Sequence, residues 1–183
     1  MTLADLVADL DRRIAASDAP PATGLFQSGD LPDTFVAIDP AELGLAAGRT
    51  VDGAGVVETV FAFGDTARFE LLVGVTVPVT GGVAVEAAMD ALPRERLRAF
   101  LETGIDRAAM AQQADLAVPF ALGADAAGIT AVVTAQNQPT RLEAVTFRTG
   151  GTDVYLFVMY PDGVHPTRSA ITVAEMLFRR VAP

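Results

Sequence analysis

The sequence predicts a single α+β domain built on a mainly antiparallel β-sheet of about six or seven strands. Candidate strands follow one another in runs rather than alternating with helices, and such runs pair antiparallel. The chain is 51% hydrophobic over 183 residues, which is enough to bury a substantial core. No repeat or change in composition divides it, so we expect one domain over residues 1–183.

The centre of the predicted sheet is a hairpin over Arg141–Tyr160. Gly150 and Gly151 suit a tight turn because glycine enters positive φ without steric cost. This turn places Arg148 opposite Asp153 as a cross-strand charge pair. It also places Phe147 opposite Val154 and Val145 opposite Leu156. Every residue of Val154–Met159 is apolar, so we expect both of its faces to be covered.

Three helical segments are predicted to pack as a layer on this sheet. An N-terminal helix over residues 1–17 carries apolar residues at helical spacing and is followed by a loop over residues 18–33. A central segment runs from Val85 to Leu92 and restarts at Pro93, a favoured first helical residue. The last helix covers Arg168–Val181.

The remaining strands are predicted from β-branched and aromatic runs between turn residues. Asp115–Leu122 is assigned to an edge or a bulge because Pro119 cannot donate a ladder hydrogen bond. Pro40–Gly55 is a glycine-rich surface loop. The other predicted strands are Thr34–Ile38, Val56–Phe63, Ala67–Val77 and Ile129–Ala135.

Composition excludes several classes of function. A net charge of −10 disfavours nucleic acids and anionic membrane surfaces as partners. The chain has no cysteine, and arginine supplies all 13 cationic residues. Thiol catalysis, cysteine-ligated zinc and lysine Schiff-base chemistry are therefore absent. The N-terminal stretch lacks the basic and apolar regions of a signal peptide, and no apolar run is long enough to insert in a membrane. We expect a cytoplasmic protein, with secretion only where a leader preceding Met1 has been removed.

No catalytic set emerges from the motifs. His165 is the one histidine, and neither a nucleophile elbow nor a second histidine for a metal accompanies it. The glycine pairs lack the dinucleotide-binding pattern, so we expect no cofactor and no metal. Arg94, Arg96 and Arg98, with Arg107, form a group that either grips an anion or is a solvated helix surface. The interleaved glutamates favour the solvated surface.

The chain resembles the PsbP-like fold of Ran-binding Mog-type, LpqN-type and DcrB-type proteins. The resemblance rests on the helix TLADLVADL, the strands TFVAID and ARFELLVGVTVP, the stretch VEAAMDALPRERLRAFLE and the ending RLEAVTFRTGGTDVYLFVMYP followed by SAITVAEMLFRRV. It implies a non-enzymatic protein that binds a partner or a small ligand on its sheet. Some relatives act as chaperones or adaptors.

We therefore predict a non-enzymatic adaptor or chaperone-like binding protein that holds a protein partner on an apolar sheet face. The predicted binding residues are Arg148, Asp153, Tyr155, Phe157, Met159 and His165. One alternative is a small-ligand-binding protein or an enzyme with a pocket between the sheet and the 40–55 loop. Another is a subunit of a larger assembly, including a homodimer, with the Leu3–Ile14 apolar stripe as its contact.

Overall fold

The structure is a computed structural model, and it describes residues 30–43, 48, 50–51, 55–56, 58–79, 93–104, 110–135 and 138–181. Its strands are β1 (Val36–Ile38), β2 (Thr50–Val51), β3 (Gly55–Val56), β4 (Thr59–Asp65), β5 (Glu70–Pro78), β6 (Met110–Asp115), β7 (Ala127–Ala135), β8 (Gln138–Thr149) and β9 (Thr152–Pro161). All but β2 and β3 form one seven-stranded antiparallel sheet in the order β1-β4-β5-β9-β8-β7-β6.

Two helices are present in the described residues, α1 (Pro93–Gly104) and α2 (Ala170–Val181). Single 3-10 turns occur at Pro40–Leu43 and Phe120–Leu122. Leu97, Phe100 and Leu101 of α1 join one hydrophobic core, whereas Val173 and Leu177 of α2 join another. Alternate residues of β9 enter these two cores, so the helices lie on opposite faces of the sheet.

The start of α2 is fixed by polar contacts to the sheet. The backbone N–H of Ala170 donates to Glu143 Oε2 at 2.9 Å, and the Tyr160 hydroxyl donates to Glu143 Oε1 at 2.7 Å. Ser169 Oγ accepts from the N–H of Thr172 at 3.2 Å, as an N-cap residue does. A carboxylate at a helix N-terminus is favoured by the helix dipole, so Glu143 holds this end of α2 against β8.

The predicted fold class is wrong in its helical arrangement. We expected an N-terminal, a central and a C-terminal helix packed as a layer on the sheet. The described residues contain two helices instead, one on each face. The predicted N-terminal helix over residues 1–17, most of the following loop and the segment Val85–Leu92 lie outside the described residues.

One predicted strand is also misplaced. The edge strand in this part of the chain is β6, which ends at Asp115, and Phe120–Leu122 forms a 3-10 turn after Pro119. Strand β6 does contain a register shift, but it lies between Ala111 and Ala114, before the predicted range of Asp115–Leu122. Residues 115–122 are apolar because Leu122 packs in the core beneath α2, and their composition therefore does not indicate a strand.

The central hairpin is confirmed residue by residue. Gly150 and Gly151 have φ of 55° and 78°. Arg148 pairs with Asp153, Phe147 with Val154 and Val145 with Leu156. Strand β9 is interior as predicted, between β5 and β8. The turn and the alternation of apolar residues were sufficient to fix this register.

A glycine on β5 admits an aromatic ring into the α2 core. Gly74 pairs with Phe61 of β4, and a Cβ built on Gly74 would lie 1.8 Å from Phe61 Cζ. The Phe61 ring therefore covers the backbone of its cross-strand neighbour, and its exposed fraction is only 2%. Any larger residue at position 74 must displace this ring.

We expect Gly74→Ala to lower the free energy of unfolding by about 2 kcal/mol, because overpacking forces the Phe61 ring out of its position. Urea denaturation measures this change. The same substitution in a Phe61→Leu background should cost less, since the ring atom that meets the new methyl group is gone. An equal cost in both backgrounds would contradict the proposed contact.

Candidate functional site

Four of the six predicted site residues lie along one side of β9. Asp153, Tyr155, Phe157 and Met159 alternate along the strand and therefore share a face. Tyr155 packs in the α1 core, with Phe157 and Met159 against it, so this is the face that α1 covers. The order along the strand is an acid, a phenol and two apolar side chains.

The first of these residues belongs to a buried ion cluster, which consists of Arg96, Arg148 and Asp153. Arg148 donates from Nε to Asp153 Oδ1 at 2.7 Å and from Nη2 to Oδ2 at 2.9 Å. Arg96 reaches across from α1, and its Nε lies 3.8 Å from Asp153 Oδ2. The side chains of Arg96 and Asp153 are 3% and 5% exposed. The cluster thus links α1 to the β8–β9 turn.

The hydrogen bond to Asp153 raises the pKa of Arg148 above its usual value, against the opposing effect of burial. The Arg148 guanidinium therefore keeps its charge beside Asp153. A two-point Arg–carboxylate contact also fixes the geometry of both groups. Because Arg148 engages both oxygens of Asp153, this carboxylate is placed as a structural partner rather than as a general base.

On the same face as the cluster, the next cross-strand pair of β8 and β9 carries two buried hydroxyl groups. Thr146 faces Tyr155, and both residues are 0% exposed. Thr146 Oγ1 and the Tyr155 hydroxyl have no hydrogen-bond partner of normal geometry. Burial, followed by the charge of Asp153, raises the pKa of Tyr155 to about 12, although the nearby Arg96 guanidinium opposes the shift.

An aromatic stack connects α1 to the middle of β9. The Phe100 ring lies 4.3 Å from the Tyr155 ring at an interplanar angle of 13° and 5.5 Å from the Phe157 ring at 17°. Stacked aromatic pairs contribute beyond their buried area. Phe100 thus covers Tyr155 completely, whereas Phe157 remains partly exposed.

Next to the Phe100 stack, the α1 face carries a partly exposed apolar surface. We call Leu71, Phe157 and Met159 the sheet patch. Leu71 and Met159 are direct cross-strand neighbours on β5 and β9, and Phe157 precedes Met159 on the same face. All three are half-buried and pack against the α1 core.

The opposite face of the same two strands is closed. Leu72, Gly74 and Thr76 of β5 are buried, and so are Val154, Leu156, Val158 and Tyr160 of β9. The prediction that both faces of Val154–Met159 are covered is therefore confirmed for the α2 face. On the α1 face Tyr155 is fully covered, whereas Phe157 and Met159 are only partly covered.

His165 is not part of this arrangement. It lies exposed in the loop between β9 and α2, so about eight strand residues, or about 26 Å, separate its end of β9 from Asp153. Its backbone carbonyl accepts a hydrogen bond from Arg68 Nη2 at 3.1 Å. The structure therefore brings Arg148, Asp153 and Tyr155 together and places His165 at the other end of the sheet.

Sequence reasoning missed Arg96 as a member of the cluster. We had assigned it to the solvated surface of a helix with Arg94 and Arg98, but its exposed fraction is 4%. The spacing of Arg96 could have indicated its burial. Residues four apart share a helix face, and Phe100, four residues after Arg96, is buried. Leu71 and Thr146 were also missed, and their positions opposite Met159 and Tyr155 follow only from the pairing of the strands.

Within the described ranges, no group of three or more histidine, cysteine or acidic residues is arranged to hold a metal ion. No helix of the described residues is long and apolar enough to cross a membrane. No protein-family model matches the chain, and no curated protein matches it either.

We expect Asp153→Ala to lower the free energy of unfolding by about 3–5 kcal/mol, because it leaves buried arginine charge without its carboxylate. Chemical denaturation measures the loss. Asp115→Ala is the matched control, since Asp115 pairs with Arg94 at 2.6 Å through side chains that are 63% and 50% exposed. That change should cost less than about 1 kcal/mol. Similar losses for the two variants would show that the buried cluster matters no more to stability than an exposed ion pair.

Both tyrosines should remain protonated in the folded protein at pH values where free tyrosine ionises. The pKa of Tyr155 is about 12, and burial together with the bond to Glu143 also raises the pKa of Tyr160. Above about pH 10 the unfolded chain loses phenol protons that the native chain keeps. The free energy of unfolding should therefore fall between about pH 10 and 12, by about 2–3 kcal/mol for Tyr155.

Ultraviolet absorbance of phenolate measures this titration directly, because the chain has 2 tyrosines and no tryptophan. Tyr155→Phe should remove part of the alkaline loss of stability and leave the titration of Tyr160 in place. A phenol in the folded protein that ionises near pH 10 would be inconsistent with the burial of these side chains.

Proposed function

We propose that this protein is a non-enzymatic binding module that holds an apolar segment of a protein partner on the sheet patch. The observation that carries the proposal is the contrast between the two faces of β5 and β9. On the α2 face Leu72, Gly74, Thr76 and Val154, Leu156, Val158 and Tyr160 are buried, whereas Leu71, Phe157 and Met159 on the α1 face are only half-buried. Apolar side chains on central strands are normally covered, and a partly uncovered group favours a contact with another molecule.

The chemistry of the patch supports a protein segment as the occupant. Phe157 offers a flat ring that is already held by Phe100, so little side-chain entropy is lost on binding. Met159 is flexible and polarizable, and methionine adapts to irregular apolar partners. The PsbP-like resemblance implies binding on the same sheet, and it stays a prediction.

The alternative of an enzyme or small-ligand pocket has weaker support. Arg148, Asp153 and Tyr155 do converge, but the arginine and the carboxylate are bound to each other and His165 lies at the far end of the sheet. Much of the 40–55 loop that would close the pocket lies outside the described residues. The assembly alternative concerns Leu3–Ile14, which also lies outside them, and a homodimer stays a prediction.

The full chain is first used for affinity capture, and a partner that binds saturably is identified. Calorimetry with the purified partner then measures its affinity. Met159→Gln should weaken binding about tenfold, because it places an amide against the apolar segment. Met176→Gln is the matched control, since Met176 is also half-buried but packs on the α2 side. The proposal fails if no partner binds saturably, or if the two variants bind it equally well.

A further inference from the structure

Strand β6 forms one end of the sheet, and its outer side is exposed. It is the last strand in the order of the seven-stranded sheet, and within the described residues its outer edge pairs with no other strand. Every residue of β6 after Met110 is exposed. An edge strand presents backbone N–H and C=O groups that can pair with a strand of another molecule. A second copy of this chain has the same edge, so two copies can pair through it about a twofold axis.

The side chains of β6 offer little protection against such pairing. Natural edge strands carry lysine, proline or inward-pointing charge, or they are very short. Strand β6 has 6 residues, and none of them is proline, lysine or arginine. Its one charged residue is Asp115 at the last position, where Arg94 Nη2 lies 2.6 Å from Asp115 Oδ1. The edge strand at the other end of the sheet differs, because β1 has only 3 residues.

A β-bulge interrupts β6 at its centre. Ala111 pairs with Val132 and Ala114 pairs with Thr130, so two residues of β6 lie opposite one residue of β7. The first of the two, Gln112, has φ of 50°. This is the form of bulge whose first residue has left-handed backbone, which glycine usually provides. The bulge leaves only two regularly paired residues on each side of it.

The backbone of Gln112 is unfavourable for a residue with a side chain. Left-handed backbone brings the Cβ of an L-residue too close to the following carbonyl. Phe69, in the turn between β4 and β5, is the one other described residue besides glycine with positive φ. Gln112 is exposed, so burial of its side chain does not account for this conformation. Bulges at sheet edges bend and twist the strand away from regular pairing, and they are retained features rather than defects.

We propose that the β6 bulge prevents two copies of this chain from pairing through their β6 edges. Regular antiparallel pairing needs backbone groups that recur at fixed intervals along both strands. Two bulged edges offer each other stretches of only two regular residues, and the extra residue increases the local twist between them. The role concerns this edge alone. It is independent of the sheet patch, which lies on β5 and β9.

The test is to remove the extra residue. Deletion of Gln112, or of Gln113, restores one-to-one pairing of β6 with β7 and makes the outer edge regular. In sedimentation equilibrium the mass of either variant should rise with concentration toward twice the 19.0 kDa of one chain, whereas the unmodified protein should keep the mass of one chain. Adding Ala111→Lys to the deletion should restore the monomer, because lysine on an edge strand disfavours pairing with another strand.

Gln112→Gly is the matched control for the side chain. Glycine adopts positive φ without steric cost, so this variant keeps the bulge and removes only the glutamine side chain. It should remain monomeric, with a melting temperature equal to or above that of the unmodified protein. Amide hydrogen exchange locates the contact. The β6 amides of a deletion variant should become more protected as its concentration rises, whereas those of the unmodified protein should not.

Each contrary result overturns the proposal. A folded deletion variant that stays monomeric would show that the bulge is not what blocks pairing. Protection of β6 that grows with concentration in the unmodified protein would show that the bulged edge already pairs. Association of a deletion variant without protection of β6 would place the contact elsewhere, and a Gln112→Gly dimer would show that the side chain is the barrier. If neither deletion variant folds, the bulge is required by the fold itself and not by its edge.

Discussion

The rest of the α1 side depends on the charge pair between Arg148 and Asp153. It closes the β8–β9 hairpin next to its two-glycine turn, and its carboxylate is the point at which Arg96 attaches α1 to the sheet. Buried pairs of this kind contribute little net stability compared with apolar substitutes, but they are expensive to break. In this protein the pair fixes the position of α1 on the sheet. With Arg96 held at this end, Phe100, one turn further along α1, comes to lie on Tyr155 and Phe157.

That attachment also explains why the two faces of the sheet differ. Helix α2 is fixed by Glu143 at its N-terminus and packs along β8 and β9, where the α2-facing residues from Val154 to Tyr160 are buried. Helix α1 contacts β7 and β8 more than the strands beyond them. An α-helix of 12 residues is about 18 Å long, so one helix cannot also cover Leu71 and Met159. The sheet patch is therefore a geometric consequence of where α1 is anchored.

The hairpin could be predicted from local chemistry, whereas the face of the sheet on which each helix packs could not. The Gly150-Gly151 turn, the alternation beside it and the opposite charges of Arg148 and Asp153 all point to one register, and each acts over a few residues. The face that a helix covers depends on contacts between distant parts of the chain, which periodicity does not encode. For the same reason Arg96 was read as surface. An arginine among glutamates resembles a solvated residue until a carboxylate from another element is placed beside it.

The turn at Phe69 shows the complementary case, in which a local backbone preference is broken. At Gly74 the chain keeps glycine because Phe61 occupies the space, and at Gly150 it keeps glycine because φ is positive. At position 69 φ is also positive, yet the chain places an aromatic ring there. Consistency between local preference and global structure is the general rule in folded proteins, and departures from it concentrate at functional positions. The buried carboxylate of Glu70 accepts from the N–H of Thr167 and so ties this turn to the loop before α2.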